Sequence, residues 1–180
     1  MFTYRKASLS DVPRLAQLEA QHVSDELTAA DVGQLAGQGF SIKELTILIN
    51  QHYLLLAEVN QQIVGYVIAA GWDFFAGQGI YSALVKRLDR IEHEGPKLTV
   101  KNCCQYGPIW ISPSYRGKGI FVPLVAELND AVKHKYPYML TFIAEDNSRS
   151  FAAHTAKAEM QVVDFIGFER RDYYLLLKRT

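Results

Sequence analysis

Arg116-Gly117-Lys118-Gly119 is the stretch of this chain with the clearest chemistry. Two cationic side chains alternate with two glycines. The apolar run Gly107-Pro108-Ile109-Trp110-Ile111 precedes them, and a segment of helical periodicity opens at Phe121. The first backbone N–H groups of a helix have no internal partners and carry partial positive charge. Glycines ahead of them let a phosphate come close, and Arg116 and Lys118 add formal charge. Pro123 falls in the first turn, where its missing N–H costs little. The spacing predicts a diphosphate cradle where a strand hands over to a helix. Neither G-x-x-x-x-G-K-[ST] nor an early strand–helix G-x-G-x-x-G is present, so two common phosphate loops are excluded on spacing.

Other reactive side chains are scattered. Cys103 and Cys104 are adjacent, a geometry that rarely forms a structural disulfide, and they read as thiols in a reducing compartment. His22, His52 and His134 lack metal-ligand spacing with carboxylates or cysteines, so no metal site is expected. Asp73 follows a strand among Trp72, Phe74 and Phe75, and Glu145 follows another. Either carboxylate suits a general base, and the aromatics around Asp73 suit a pocket wall. His93 and Tyr106 are further candidate site residues, each also readable as a packed aromatic or a solvated surface group.

The elements that must position these groups follow from periodicity. A short strand over 2–7 leads to a helix capped by Ser10, with Val12, Leu15 and Leu18 on its apolar face. Residues 24–40 read as a loop or broken helix. Ser41 and Glu44 have the spacing of a capping box ahead of Leu45, Leu48 and Ile49. Tyr53–Val59 and Ile63–Ala69 form a hairpin across Asn60-Gln61-Gln62. A helix is expected over 80–92, inserted before the strand Gly107–Ile111. Leu124, Val125, Leu128 and Val132 mark the helix after the glycine loop, ended by Pro137. A strand over Tyr138–Ala144, a helix from Ser148 to about Lys157 and closing strands over 161–165 and 173–178 complete the chain. This order predicts one α/β domain over residues 1–180, a mixed sheet with helices on its faces.

Bulk properties narrow the partners. The 180 residues suffice for one core, and 19 basic residues balance 19 acidic ones. Neutrality gives no electrostatic reason to bind nucleic acid or an anionic membrane. No apolar run is long enough to span a bilayer, and the N-terminal residues lack a secretory core, so the cytoplasm is the expected location.

Across nearly its whole length the chain resembles the GCN5-related N-acetyltransferase (GNAT) superfamily. The family signature is Arg or Gln, two variable residues, Gly, one variable residue, then Gly or Ala. Arg116-Gly117-Lys118-Gly119-Ile120-Phe121 matches it except that Phe121 stands at the last small position. Asn147 to His154 resembles the second motif, with His154 where tyrosine is usual and the later Gly-Phe replaced by Glu159-Met160. The resemblance implies a mostly antiparallel sheet with a splayed fourth and fifth strand. It implies acetyl-CoA as acyl donor, no metal, and direct transfer to an amine-bearing acceptor in a ternary complex. Trp110 and Ile111 would offer backbone to the pantetheine arm, and Arg116–Phe121 with Asn147 would hold the rest of the coenzyme. His154 is then expected near the departing thiolate, as proton donor or as a contact beside it. A covalent route through Cys103 or Cys104 is not the family's usual one.

Two alternatives stay open: a non-catalytic acyl-CoA sensor of the same fold, and nucleotide binding through the same loop. The closing strands also offer an exposed edge for a homodimer. Gly119→Val should weaken acetyl-CoA binding about tenfold or more, because bulk would stand between the phosphates and the amides. Calorimetry checks this, and unchanged affinity would mean that the loop has been misread.

Overall fold

The computed structural model describes residues 1–26, 39–77 and 79–180. It comprises two compact units, Met1–Lys6 with Tyr53–Thr180, and Ala7–His52. The smaller unit holds α1 (Val12–Glu26) and α2 (Ile42–Gln51). Ahead of α1, Ser8 N–H donates to the Asp11 carboxylate at 2.7 Å, so Ser8 takes the capping place expected of Ser10. The box at α2 is as expected. Ser41 Oγ accepts from Glu44 N–H at 3.2 Å, and the Glu44 carboxylate accepts from Ser41 N–H at 2.8 Å. The loop or broken helix expected over 24–40 lies mostly outside the described residues.

The larger unit is built on a seven-stranded sheet. Its strands are β1 (Thr3–Lys6), β2 (Tyr53–Val59), β3 (Gln62–Ala70), β4 (Cys103–Ile111), β5 (Tyr138–Ala144), β6 (Gln161–Phe168) and β7 (Arg171–Arg179). They lie in the order β1-β2-β3-β4-β5-β7-β6, and β4–β5 is the parallel pair. Asn60 and Gln61 join β2 to β3 with φ of 49° and 63°, the left-handed pair that a two-residue hairpin turn requires. Glu169 and Arg170 do the same between β6 and β7, which makes both closing strands longer than their apolar runs suggest. Because β7 lies between β5 and β6, only β6 leaves an edge at that end of the sheet.

Three helices flank the sheet: α3 (Gly79–Val85), α4 (Phe121–Val132) and α5 (Ser148–Ala156). The helix expected over 80–92 stops at Val85, and Leu88–Arg90 forms a single 3₁₀ turn. Leu84, Leu88 and Ile91 are all buried, as their spacing demands, but the last two reach the core without a continuous helix. On one face, Leu124, Val125, Leu128 and Val132 of α4 share a core with Leu55, Val67, Cys104, Tyr106, Met139 and Leu176 of the strands. Alternation along the strands turns Ala70, Gln105, Leu140 and Phe142 to the other face. There Tyr81 of α3 stacks on Phe75 at 4.2 Å and meets Phe142 edge-on at 5.4 Å.

The sheet has an interruption at its centre. β4 and β5 pair only through Cys103, Cys104 and Gln105 with Tyr138, Met139 and Leu140. Opposite β3, the register steps from Val67↔Ile109 to Ala69↔Tyr106, so β4 carries one extra residue. Gly107 takes φ of 102° at this bulge, a conformation side-chain-bearing residues rarely adopt. Beyond it the two strands diverge, which is the expected splay.

No helix among the described residues is long and apolar enough to cross a membrane.

Candidate functional site

The gap between β4 and β5 is lined by main chain. Ser112 N–H donates to Val64 O at 2.9 Å, which fixes the alternation of the β3–β4 ladder. Trp110 therefore exchanges hydrogen bonds with Tyr66, and the peptide groups of Ile109 and Ile111 turn away from β3, into the gap. On the facing side, Glu145 N–H donates to Asp172 O at 2.9 Å. The same alternation turns the peptide groups of Phe142 and Ala144 away from β7 and toward β4. Of the two residues expected to offer backbone to the pantetheine arm, Ile111 turns its peptide groups into the gap and Trp110 turns its own toward β3. Ile109 takes that place, and only the ladder register reveals it.

The gap opens toward the glycine loop. After β4, Pro113–Tyr115 forms a 3₁₀ turn, and Arg116 Nε donates back to Ile111 O at 2.9 Å. Gly117 and Gly119 have φ of 75° and 80°, and a Cβ on either would meet nothing within 4 Å. The loop is exposed, and Lys118 Nζ lies 4.9 Å from the centre of the Tyr115 ring. Ile120 is buried and anchors the start of α4, whose first internal bond is Leu124 N–H to Ile120 O. The amides ahead of Leu124 thus face outward beside two cations and a glycine turn. The arrangement suits a phosphorylated ligand whose extended polar arm lies along β4.

One candidate carboxylate lies at the open end of the gap, and the other lies past the pairs that close it, where a Cβ on Gly71 would run into both Asp73 and the Tyr136 hydroxyl. Glu145 is exposed just past β5, at the same end as Arg116, because β4 and β5 run parallel. Asp73 is exposed beyond β3, which runs antiparallel to β4, near the end where β4 and β5 still pair. Asn147 caps α5, its side chain accepting from Ser150 N–H at 3.1 Å. His93 lies against Tyr138 and the Pro96 carbonyl. Both cysteines are buried inside β4, whose strand starts at Cys103 rather than Gly107. Burial pushes the Cys104 thiol up to about 12 and the Cys103 thiol well above its ordinary value, so neither supplies a thiolate near neutral pH.

His154 is 4% exposed on α5, and both ring nitrogens are engaged. Nδ1 stands 2.8 Å from the Ser150 carbonyl, which can only accept, so Nδ1 carries the proton. Nε2 then accepts from the Tyr106 hydroxyl at 3.0 Å. Burial lowers the histidine's pKa, only partly offset by the Ser150 bond, and raises that of Tyr106. The pair is a neutral imidazole holding a protonated phenol, at the residue of β4 that follows its last pairing with β5.

The sequence profile of the acetyltransferase (GNAT) family matches residues 25–158. The chain belongs to that family. No curated protein is detectably similar to it. Solved structures share its fold over 99% of its length. A putative acetyltransferase of Salmonella typhimurium, solved with its cofactor acetyl-CoA, aligns with TM-score 0.67 at 16% identity over 93% of that chain. The ribosomal-protein-alanine N-acetyltransferase of Brucella melitensis gives 0.67 at 18% over 99%. A phosphinothricin acetyltransferase of Sinorhizobium meliloti, in complex with acetyl-CoA, gives 0.66 at 19% over 88%.

Of the departures from the GNAT pattern, Phe121 and His154 touch each other. The ring of Phe121 stands edge-on to His154 at 5.1 Å, and Tyr106 approaches the same imidazole edge-on at 5.4 Å. A phenylalanine at the small-residue position fills space beside the histidine. Tyr106, on β4, supplies a phenol in contact with the helix position where the pattern has tyrosine.

A pH dependence follows. The unfolded chain carries histidine at its ordinary 6.5, while the fold holds His154 lower. Between those values the unfolded state binds more protons, so stability falls as pH falls through that window. The wild type should lose thermal stability on acidification below pH 6.5 more steeply than His154→Gln, followed by circular dichroism. Parallel curves would contradict the buried neutral imidazole.

Proposed function

We propose that the protein transfers an acetyl group from acetyl-CoA to a primary amine, with both substrates bound together. The observation that carries this reading is the main-chain edge at Ile109 and Ile111, which leads directly to the glycine loop and the start of α4. Acetyl-CoA is a ligand whose parts suit this edge and loop. Its pantetheine amides match the strand edge, and its diphosphate matches the outward amides with Arg116, Gly117, Lys118, Gly119, Ile120 and Phe121 around them. The names of two similar folds, acting on ribosomal-protein alanine and on phosphinothricin, support an amine as acceptor.

Acetyl-CoA supplies the thioester carbonyl. The amine nitrogen bonds to that carbon while the carbon–sulfur bond breaks, sulfur leaves as thiolate, and the nitrogen gives up its proton. Main-chain N–H groups in the gap polarise the carbonyl oxygen, which requires no side chain. Tyr106 directly follows the last β4–β5 pair, and its raised pKa keeps the phenol protonated, a hydrogen-bond donor that turns from His154 to the departing sulfur. His154 is the contact beside it, orienting the phenol until the sulfur arrives. Asp73 or Glu145 takes the amine's proton, directly or through water, each standing a few residues along the sheet from the base of the gap. Asn147 acts by fixing the start of α5.

Release of coenzyme A thiol from acetyl-CoA across a set of primary amines tests the reading. Amine-dependent release should fall about 10²-fold or more in one of Asp73→Asn and Glu145→Gln, and no loss in either variant would remove both carboxylates as the base. Tight acetyl-CoA binding with no transfer to any amine would mark a sensor instead. ATP competing as well as coenzyme A would overturn the choice of donor.

A further inference from the structure

Gln105 stands at the residue of β4 where pairing with β5 ends, and it is 2% exposed. Its Nε2 donates to the Tyr106 carbonyl at 2.8 Å. A carbonyl can only accept, so this bond fixes which end of the amide is nitrogen and which is oxygen. The remaining atom, Oε1, is buried and has no hydrogen-bond partner. A buried amide oxygen without a donor is unfavourable, and native structures leave few of them unexplained. The side chain points to the face opposite α4, the face of its register partners Ala70 and Leu140. Phe142, two residues beyond Leu140 on the same face, is half-buried beside the half-buried Tyr81.

We infer that Gln105 is a specificity-determining residue whose Oε1 accepts an N–H from the acceptor amine, while Tyr81 and Phe142 take that acceptor's apolar body. The inference rests on the acyl-transfer reading and names the substrate class for it. A fixed acceptor oxygen at the point where the strands part selects a donor group there. Its register partners Ala70 and Leu140, and Phe142 and Leu175 beyond them on β5 and β7, are apolar, so they offer no countercharge to a second or third ammonium. The rings give an aromatic or alkyl body area to cover, and they attract a single cation through their faces. The class that fits is a monoamine with an aryl or bulky apolar substituent, rather than a polyamine or an aminoglycoside.

The test compares phenethylamine with spermidine as acceptors for the full chain, read as coenzyme A thiol release. The wild type is expected to favour phenethylamine by about tenfold or more in kcat/KM. Gln105→Met keeps length and removes the oxygen, and it should raise the phenethylamine KM about tenfold while leaving acetyl-CoA affinity unchanged. Gln105→Glu keeps an oxygen at the same reach and should hold that KM at or below the wild-type value. Several results would overturn the inference: an unchanged KM in Gln105→Met, an equal loss of acetyl-CoA affinity, Glu and Met variants behaving alike, or a preference for spermidine. Should no amine be acetylated although acetyl-CoA binds, the acyl-transfer reading fails by itself. Phenethylamine binding is then followed by thermal shift with coenzyme A present. A shift in the wild type that Gln105→Met loses supports the role of Gln105, and no shift in either protein overturns it.

Discussion

Two parallel strands that stop pairing in the middle of a sheet set the conditions for everything else in this molecule. Peptide groups removed from water without partners cost roughly 1–3 kcal/mol each, so a sheet interior normally closes. Here the extra residue of β4 at Gly107-Pro108 turns the strand away after three pairs with β5. Proline contributes no N–H, so the bulge itself adds one fewer donor to satisfy. What remains is a slot edged by the peptide groups of Ile109 and Ile111 on one strand and of Phe142 and Ala144 on the other. A ligand with amides along an extended arm completes the ladder that the protein leaves open.

The slot also explains the surroundings of His154. An imidazole in the core between sheet and helix has two nitrogens to satisfy. Nδ1–H donates to the Ser150 carbonyl, and the Tyr106 hydroxyl donates to Nε2. That division fixes the tautomer and keeps the phenol at the base of the slot. Phe121 closes the third side of the ring. Phe121 and His154, two of the places where the chain departs from the family pattern, thus form one packed group with Tyr106.

Much of this was legible from residue patterns. Seven strands, the helix after the glycine loop and the capping box at Ser41 follow from periodicity and from residue types with strong local preferences. The loop itself could be read because glycine, charge and helix start act over a few residues. What escaped depends on register. Whether Trp110 or Ile109 faces the slot is decided by a bulge, and a one-residue shift exchanges the two edges of a strand. The contacts of Tyr106 with His154 span 48 residues, and no local signal encodes them. Gln105 precedes the strand that the sequence marks from Gly107, and its unpaired oxygen emerges only once the neighbours are known. The helix expected to run to residue 92 ended early because a 3₁₀ turn and extended chain bury Leu88 and Ile91 equally well.

The slot can be interrogated amide by amide. In ¹⁵N-labelled protein titrated with coenzyme A, the amide signals of Ile109, Ile111, Gly117 and Gly119 should shift together and gain protection from exchange. Trp110, whose N–H is already bonded within the sheet, should gain no protection and serves as the internal reference. Coenzyme A bound with the two isoleucine amides unmoved, or with Trp110 as the amide that gains protection, would contradict the open-edge account.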